Sequence, residues 1–137
     1  MASIVLLPSS FATIREYACT SLEVVGDCVS LYGDAPVMGL ESVRRTDITA
    51  PPWRRSIGVV LSKPTSQTCL VLERGLLEGV YTGLDIGREY GVGVDSRLRL
   101  QLPIPSVVNP QLLMFMGVAR ASTKIDINPH AVGIRTP

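Results

Sequence analysis

Two hairpin-like stretches decide the fold class of this chain of 137 residues. The first runs from Ile57-Gly58-Val59-Val60 through a polar turn to Thr68-Cys69-Leu70-Val71-Leu72. The second runs from Met116-Gly117-Val118-Ala119 through a shorter turn to Lys124-Ile125-Asp126-Ile127. Apolar runs rich in Val and Ile, joined by turns that contain Ser or Thr, are typical of β-hairpins. The pattern therefore predicts an all-β protein that folds through strand pairing.

The similarity between the two hairpins extends toward the N-terminus. Residues 26–37 and 87–98 share the order of a Gly, a strand, a turn with Asp and a return strand. Asp34 and Asp95 lie at the same distance in sequence from Gly26 and Gly87, respectively. Gly58 and Gly117 also correspond, although their spacing differs by two residues. We therefore predict two similar four-strand halves of about 60 residues, stacked as an antiparallel β-sandwich or closed into a small barrel.

Apolar runs between Gly, Pro and Asp predict the individual strands. The strict alternation of Arg-Leu-Arg-Leu-Gln-Leu at 97–102 indicates a strand with one buried face. The continuous apolar run at 112–119 predicts a central strand covered on both faces. Residues 44–55 are predicted to form a long loop, and the tail from 129 to 137 a loop or an edge strand. Further strands are expected at 22–25, 28–32, 37–43, 75–80 and 88–94.

Residues 1–20 differ from the remainder, which we treat as a single β domain spanning 21–137. Pro8 breaks this segment early, and its apolar residues follow no clean period. Two interpretations stay open: an extended N-terminal arm that packs on a neighbouring subunit, and an ordinary first strand. The segment lacks the basic leader of a signal peptide. No window reaches the roughly 18–20 apolar residues of a membrane span, so we expect no membrane contact.

The overall composition favours a folded protein with a partner. Hydrophobic residues make up 46% and charged residues 18% of the chain, and the mean hydropathy is +0.30. These values exclude a disordered tail. They are slightly high for a small monomer, which favours an oligomer or a protein that covers another protein. The net charge of +1 provides no field for nucleic acid, and we expect no nucleic-acid partner.

Two groups of residues are candidates for contact with a partner. One consists of two basic pairs, for which a solvated loop competes with a contact to an acidic surface: Arg44, Arg45, Arg54 and Arg55. Trp53, beside them, is predicted to cover the edge of the core rather than to bind a ligand. The other group suits either the core or a subunit interface, where Met and aromatic residues are enriched: Leu112, Met114 and Met116.

The chain offers few groups for catalysis. His130 stands alone near the C-terminus without an obvious second ligand or orienting carboxylate, and the carboxylates beside Gly or Ser are explained by turn formation. Cys19, Cys28 and Cys69 match no metal or redox spacing, so we predict free buried thiols and folding in a reducing compartment. We expect no enzymatic activity, no metal and no other cofactor.

Several blocks between residues 56 and 127 resemble small virion proteins of tailed bacteriophages, which carry G-V-V-x-S-K, Y-x-G-L-x-P-G-x-x-Y-x-V, G-x-L and V-G-V-A blocks in this order. The matching stretches here are Ile57-Gly58-Val59-Val60 with Lys63-Pro64-Thr65, residues 79–90, residues 94–98 and Met116-Gly117-Val118-Ala119. The stretch Gly-Val-Tyr-Thr-Gly-Leu-Asp-Ile-Gly-Arg-Glu-Tyr at 79–90 is the most specific. It departs from the family at Ile86, where Pro is frequent.

This resemblance implies a non-enzymatic, β-rich part of a phage particle. One form is a capsid decoration (cement) protein: a homotrimer that binds the major capsid protein on the outer surface of the head and is made in the cytoplasm of the host bacterium. The alternative is a tail or fibre component involved in host-surface attachment. A cell-wall hydrolase would require an acid/base pair that the sequence does not present. In a decoration protein the N-terminal arm would reach over neighbouring capsid subunits and would involve Ile4, Val5, Leu6, Leu7 and Phe11.

Overall fold

The computed structural model describes residues 12–33, 36–100 and 110–135. Within these ranges the chain forms β-strands and turns without a helix, which confirms the all-β prediction. The strands, in chain order, are β1 (Thr13–Ala18), β2 (Cys28–Leu31), β3 (Val43–Arg45), β4 (Ser56–Thr65), β5 (Thr68–Glu78), β6 (Glu89–Val92), β7 (Leu98–Leu100), β8 (Gln111–Ala121) and β9 (Lys124–Arg135).

The strands form one curled antiparallel sheet whose order is symmetric about its centre. The order is β3-β2-β4-β5-β9-β8-β6-β7, and β1 pairs separately with β5. The registers of the two halves agree as well. Val29 pairs with Gly58 beside a bulge between β2 and β4, and Tyr90 pairs with Gly117 beside a bulge between β6 and β8. The prediction of two similar four-strand halves is thus confirmed.

One glycine in the first strand of each hairpin permits close pairing with the second strand. A Cβ atom on Gly58 would collide with the carbonyl oxygen of Leu72 in β5. A Cβ atom on Gly117 would collide in the same way with the carbonyl oxygen of Asp126 in β9. Glycine lets another backbone approach where any side chain would force the strands apart. Glycine at these two positions is therefore a requirement of the strand pairing.

Two hydrophobic cores hold the sheet together. The larger core receives residues from both halves, among them Val59, Leu72, Met116 and Ile125. The smaller core belongs to the first half and contains Tyr17, Cys19, Val29, Val43, Val60, Cys69 and Val71. Successive residues of β4 enter different cores because side chains alternate along a strand. A bridge between Ala18 and Ser42 joins the end of β1 to the start of β3 and curls the first half around its own core.

Tyr81 links the two halves through its hydroxyl group. The hydroxyl donates a hydrogen bond to the carbonyl oxygen of Gly26 and accepts one from the N–H of Leu98 at 3.0 Å. Arg97 lies over the ring, 5.1 Å from its centre, and forms an ion pair at 3.3 Å with buried Asp27. Burial of the phenol raises the pKa of Tyr81 to about 12. The folded state therefore favours the neutral phenol.

Two strand predictions are wrong for identifiable reasons. Residues 22–25 form turns, because Glu23 accepts hydrogen bonds from the N–H and hydroxyl of Thr20 at 2.8 and 2.6 Å. Such side-chain bonds replace a strand ladder. Residues 75–78 continue β5 instead of starting a new strand, since Gly75, with φ 128°, turns β5 toward β9. In the tail the strand alternative holds, because β9 runs to Arg135.

Other boundaries move by a few residues. The predicted return strand at 37–43 contracts to a turn between Val37 and Leu40, and β3 places Arg44 and Arg45 in a strand rather than a loop. The run at 112–119 lies in β8 between β9 and β6, but its burial alternates, so only one face is fully covered. Of the predicted strand at 97–102, Leu98–Leu100 form β7, and residues 101 and 102 lie outside the described ranges.

The N-terminal segment divides into two parts. Thr13–Ala18 pair with β5 as β1 and follow the first-strand alternative. The remaining candidates of the predicted arm lie outside the described residues: Ile4, Val5, Leu6, Leu7 and Phe11. The predicted buried free thiols are confirmed, since all three cysteines are buried and unbridged.

We expect Gly117→Ala to lower the free energy of unfolding by about 1–3 kcal/mol, because the new methyl group would push β9 away from β8. Gly133→Ala in β9 is the matched control, since a Cβ atom there meets nothing within 4 Å. Its effect should stay within about 0.5 kcal/mol. Urea unfolding of both variants measures the difference, and equal losses would contradict the close-pairing argument.

The raised pKa of Tyr81 predicts a loss of stability at alkaline pH. Between pH 10 and about 12 the unfolded chain releases this proton while the folded chain retains it. The stabilisation that follows from the raised pKa of Tyr81 is therefore complete below pH 10 and disappears as the pH rises toward 12. Tyr81→Phe should lower stability at pH 8 by about 1 kcal/mol and flatten the decline above pH 10. Tyr32→Phe, at an exposed tyrosine, is the control, and an unchanged slope in Tyr81→Phe would refute the assignment.

Candidate functional site

The first half carries a groove at the point where the two halves differ in length. The connection from β2 to β3 spans residues 32–42, whereas the connection from β6 to β7 spans only 93–97. Tyr32 opens the longer connection, and Gly93 holds the equivalent place in the second half. We call the depression beside this tyrosine the Tyr32 groove. It has a volume of about 230 Å³ and is lined by Leu31, Tyr32, Arg44, Arg45, Asp47, Pro51, Pro52 and Arg54, among others.

Two guanidinium groups lie over the ring of Tyr32. The Cζ atoms of Arg44 and Arg54 are each 4.8 Å from the ring centre. At this distance the negative face of an aromatic ring attracts a cation. Arg44 also donates a hydrogen bond to the carbonyl oxygen of Val43 at 2.8 Å. The tyrosine ring therefore contacts two positive groups in the lining of the groove.

Buried hydroxyl groups fix the backbone that carries these arginines. The Ser30 hydroxyl on β2 donates to the carbonyl oxygen of Arg54 at 3.1 Å and contacts the hydroxyl of Thr46 at 2.7 Å. Ser56, which follows the loop, donates to the carbonyl oxygen of Val29 at 3.2 Å. The two arginines of the stack thus come from a strand and from an anchored loop end, so their backbone positions are defined before any partner binds.

The arginines differ in whether the chain neutralises them. Arg45 forms an ion pair with buried Asp27 at 3.6 Å. Within the described part of the chain, Arg44, Arg54 and Arg55 have no carboxylate within 4.0 Å. Among the described residues, no carboxylate therefore neutralises these three charges.

The second half provides an internal comparison. Arg99 occupies the position equivalent to Arg44, since each pairs with the corresponding residue of the neighbouring strand. Arg99, however, forms an ion pair with Asp95. That contact raises the pKa of Arg99 and lowers the pKa of Asp95. Among the described residues, this scaffold position thus carries an ion pair in the second half and none in the first. The first-half residue at the offset of Asp95 is Asp34, which lies outside the described ranges.

Asp47 is the carboxylate that lines the groove. Its Oδ1 accepts hydrogen bonds from the hydroxyl and the N–H of Thr49 at 2.5 and 2.8 Å. These bonds lower the pKa of Asp47, so the group stays ionised at neutral pH. Among the described residues, the groove therefore combines the positive charges of Arg44 and Arg54 with the negative charge of Asp47.

The structure brings most of the predicted partner-binding residues together. Arg44, Arg45 and Arg54 line the groove, and Arg55 lines an adjoining depression. Trp53 is half-buried and packs against the larger core, which agrees with the predicted covering role. The sequence reasoning missed Tyr32 and Asp47. A comparison of the two halves could have indicated Tyr32, because the repeat has Gly93 at that position.

The predicted interface residues of β8 lie elsewhere. Leu112, Met114 and Met116 are 7%, 2% and 0% exposed and belong to the larger core. Their side chains alternate with the half-buried Leu113 and Phe115. Of the two roles considered for them, the structure places them in the core, where a second copy could not reach them in this fold.

The described residues hold no cluster suited to acid/base or nucleophilic chemistry. Asp27, Asp85, Asp95 and Asp126 each pair with an arginine. His130 is exposed and packs edge-on against the Phe115 ring, with centres 5.5 Å apart. Burial raises the pKa values of the Cys28 and Cys69 thiols, and a neutral buried thiol is a poor nucleophile.

We expect Tyr32→Ala to cost about 1 kcal/mol or less of unfolding free energy, because this side chain is 48% exposed and its cation contacts are solvated. Tyr90→Ala, which removes a buried core ring, should cost about 3–5 kcal/mol. Thermal and urea unfolding measure both values. Equal losses would mean that Tyr32 supports the fold rather than a binding surface.

No group of three or more His, Cys, Asp or Glu residues in the described ranges could hold a metal ion. No helix there is long and apolar enough to cross a membrane. Comparisons with protein-family models, with curated proteins and with solved structures give no match for this chain.

Proposed function

We propose that this chain is a non-enzymatic structural protein of a phage particle, which binds the outer surface of the head and stabilises the shell as a decoration protein. The observation that carries the proposal is the set of three arginines around an exposed tyrosine, none of which has a carboxylate partner among the described residues. The sequence resemblance to small virion proteins supplies the class of particle. The major capsid protein is the proposed partner, and the homotrimer that the resemblance implies stays a prediction.

The charges of the groove favour an acidic protein surface as the partner. A guanidinium group binds a carboxylate through two parallel hydrogen bonds, which gives both strength and orientation. Arg44 and Arg54 are already held by Tyr32, so less side-chain freedom is lost on binding. Arg55 extends the positive surface beyond the groove. A particle presents its surface many times over, and repeated weak contacts of this kind add up.

The curled sheet suits a protein whose task is contact. Both faces of the first half are buried against cores, so the loop that carries Arg54 and the connection that starts at Tyr32 project from a rigid support. Binding residues are commonly placed on loops held by such a scaffold. The positive groove then meets its partner with little rearrangement.

The tail or fibre alternative would require a different use of Tyr32. Proteins that bind sugars on a host surface place the open face of an aromatic ring against the sugar. Here two guanidinium groups lie over the ring at 4.8 Å. This arrangement leaves less ring surface for a sugar and favours carboxylate recognition over host-surface attachment.

The decoration function predicts co-sedimentation of the purified protein with empty heads of the same phage at a fixed number of copies per shell. Arg54→Ala/Arg55→Ala should weaken this binding by about tenfold or more, because it removes two positive charges that no carboxylate of the described residues neutralises. Arg88→Ala/Arg120→Ala is the matched control. It removes the same net charge from exposed arginines that pair with Asp85 and Asp126.

Binding to isolated tails without binding to heads would support the alternative and reject the decoration function. If both double variants lost the same affinity for heads, the loss would be due to net charge alone, and the groove would have no specific role in binding.

A further inference from the structure

A second depression adjoins the Tyr32 groove. It has a volume of about 690 Å³ and is lined by Leu31, Gly33, Arg54, Arg55 and Ile57. Leu31 and Arg54 line both depressions, so the two meet at these side chains. Two adjoining depressions offer more space than a single small ion would fill and suit a stretch of polypeptide.

The lining combines positive groups with apolar surface. Arg44, Arg54 and Arg55 supply cations along the groove, and Leu31 and the pair Pro51–Pro52 supply apolar contact. A ligand that is complementary to both the cations and the apolar surface must carry carboxylates and apolar side chains close together. Acidic polypeptide does so, because acidic and apolar residues can alternate along an extended chain.

Asp47 opposes ligands of higher charge density. Its carboxylate lies in the groove and is kept ionised by the hydrogen bonds from Thr49. A phosphate or a nucleic-acid backbone would bring further negative charge against it, without the apolar side chains that Leu31 could contact. A flexible acidic segment can instead direct its carboxylates to the arginine side alone.

We propose that the Tyr32 groove and the adjoining depression bind an extended acidic segment of a protein, with Asp or Glu carboxylates on Arg44 and Arg54 and apolar side chains against Leu31 and Pro51–Pro52. The identity of that segment as part of the capsid protein rests on the proposed function. The binding chemistry itself requires no particle and can be measured on the isolated chain.

Titration calorimetry with a six-residue peptide of alternating Glu and Leu tests the proposal on the full-length protein. The peptide should bind. A peptide with Gln in place of Glu should have an affinity that is lower by about tenfold or more, because the charge-assisted bonds are lost. Arg44→Ala and Arg54→Ala should each reduce affinity for the Glu peptide by about tenfold. Arg88→Ala, at a paired arginine, should leave it unchanged.

Two further probes separate the ligand classes. Inorganic phosphate and a single-stranded oligonucleotide should bind more weakly than the Glu peptide. Asp47→Asn should reduce this difference in affinity between the Glu peptide and the other two ligands, since it removes the opposing charge without changing the shape of the groove. Equal binding of the Gln and Glu peptides, tighter binding of the oligonucleotide, or no binding of the Glu peptide would each overturn the proposal.

The outcomes also separate this inference from the proposed function. Peptide binding without binding to heads would retain the acidic-segment site and reject the decoration function. Binding to heads without peptide binding would retain the decoration function and reject the site.

Discussion

The structure depends on the close contact between the two strands of each hairpin. At Gly58 and at Gly117 the facing carbonyl oxygen occupies the space that a Cβ atom would need. Each glycine also lies beside a bulge in the pairing on the other side of its strand, with β2 for Gly58 and with β6 for Gly117. Both halves therefore have a close backbone contact and a bulge at equivalent positions. β5 then turns at Gly75 and pairs with β9, which joins the halves into one sheet with a symmetric strand order.

Sequence reasoning predicts this architecture well, because the hairpin signal is local and occurs twice. The alternation of side chains in β4 and β5 and the paired Gly-Val runs are properties of neighbouring residues. The errors arise where a distant contact or a side-chain hydrogen bond decides the conformation. Glu23 caps a turn in a stretch with an alternating pattern, and Gly75 bends a strand where its sequence looks like a break. Neither effect is visible in periodicity.

The site was predictable only in part, for the same reason. The arginines are noticeable in the sequence as pairs, and their position around Pro51–Pro52 indicated a common surface. Tyr32 reads as the end of a strand, and its contacts with Arg44 and Arg54 join segments that lie apart in the chain. In β8, Met114 and Met116 suited a core and an interface equally well by composition. Only their burial distinguishes the two roles.

The similarity of the two halves also indicates which features of the first half are not required for its fold. The second half builds the same strand order with Gly93 in place of Tyr32, and with Arg99 neutralised by Asp95. A tyrosine stacked under two cations, and a longer connection after it, are therefore unnecessary for the fold of a half. Among the described residues, Arg44, Arg54 and Arg55 have no carboxylate partner, and exposed charge of one sign lowers stability slightly through self-repulsion. The proposal of a negatively charged partner therefore rests on the difference between the halves rather than on their similarity.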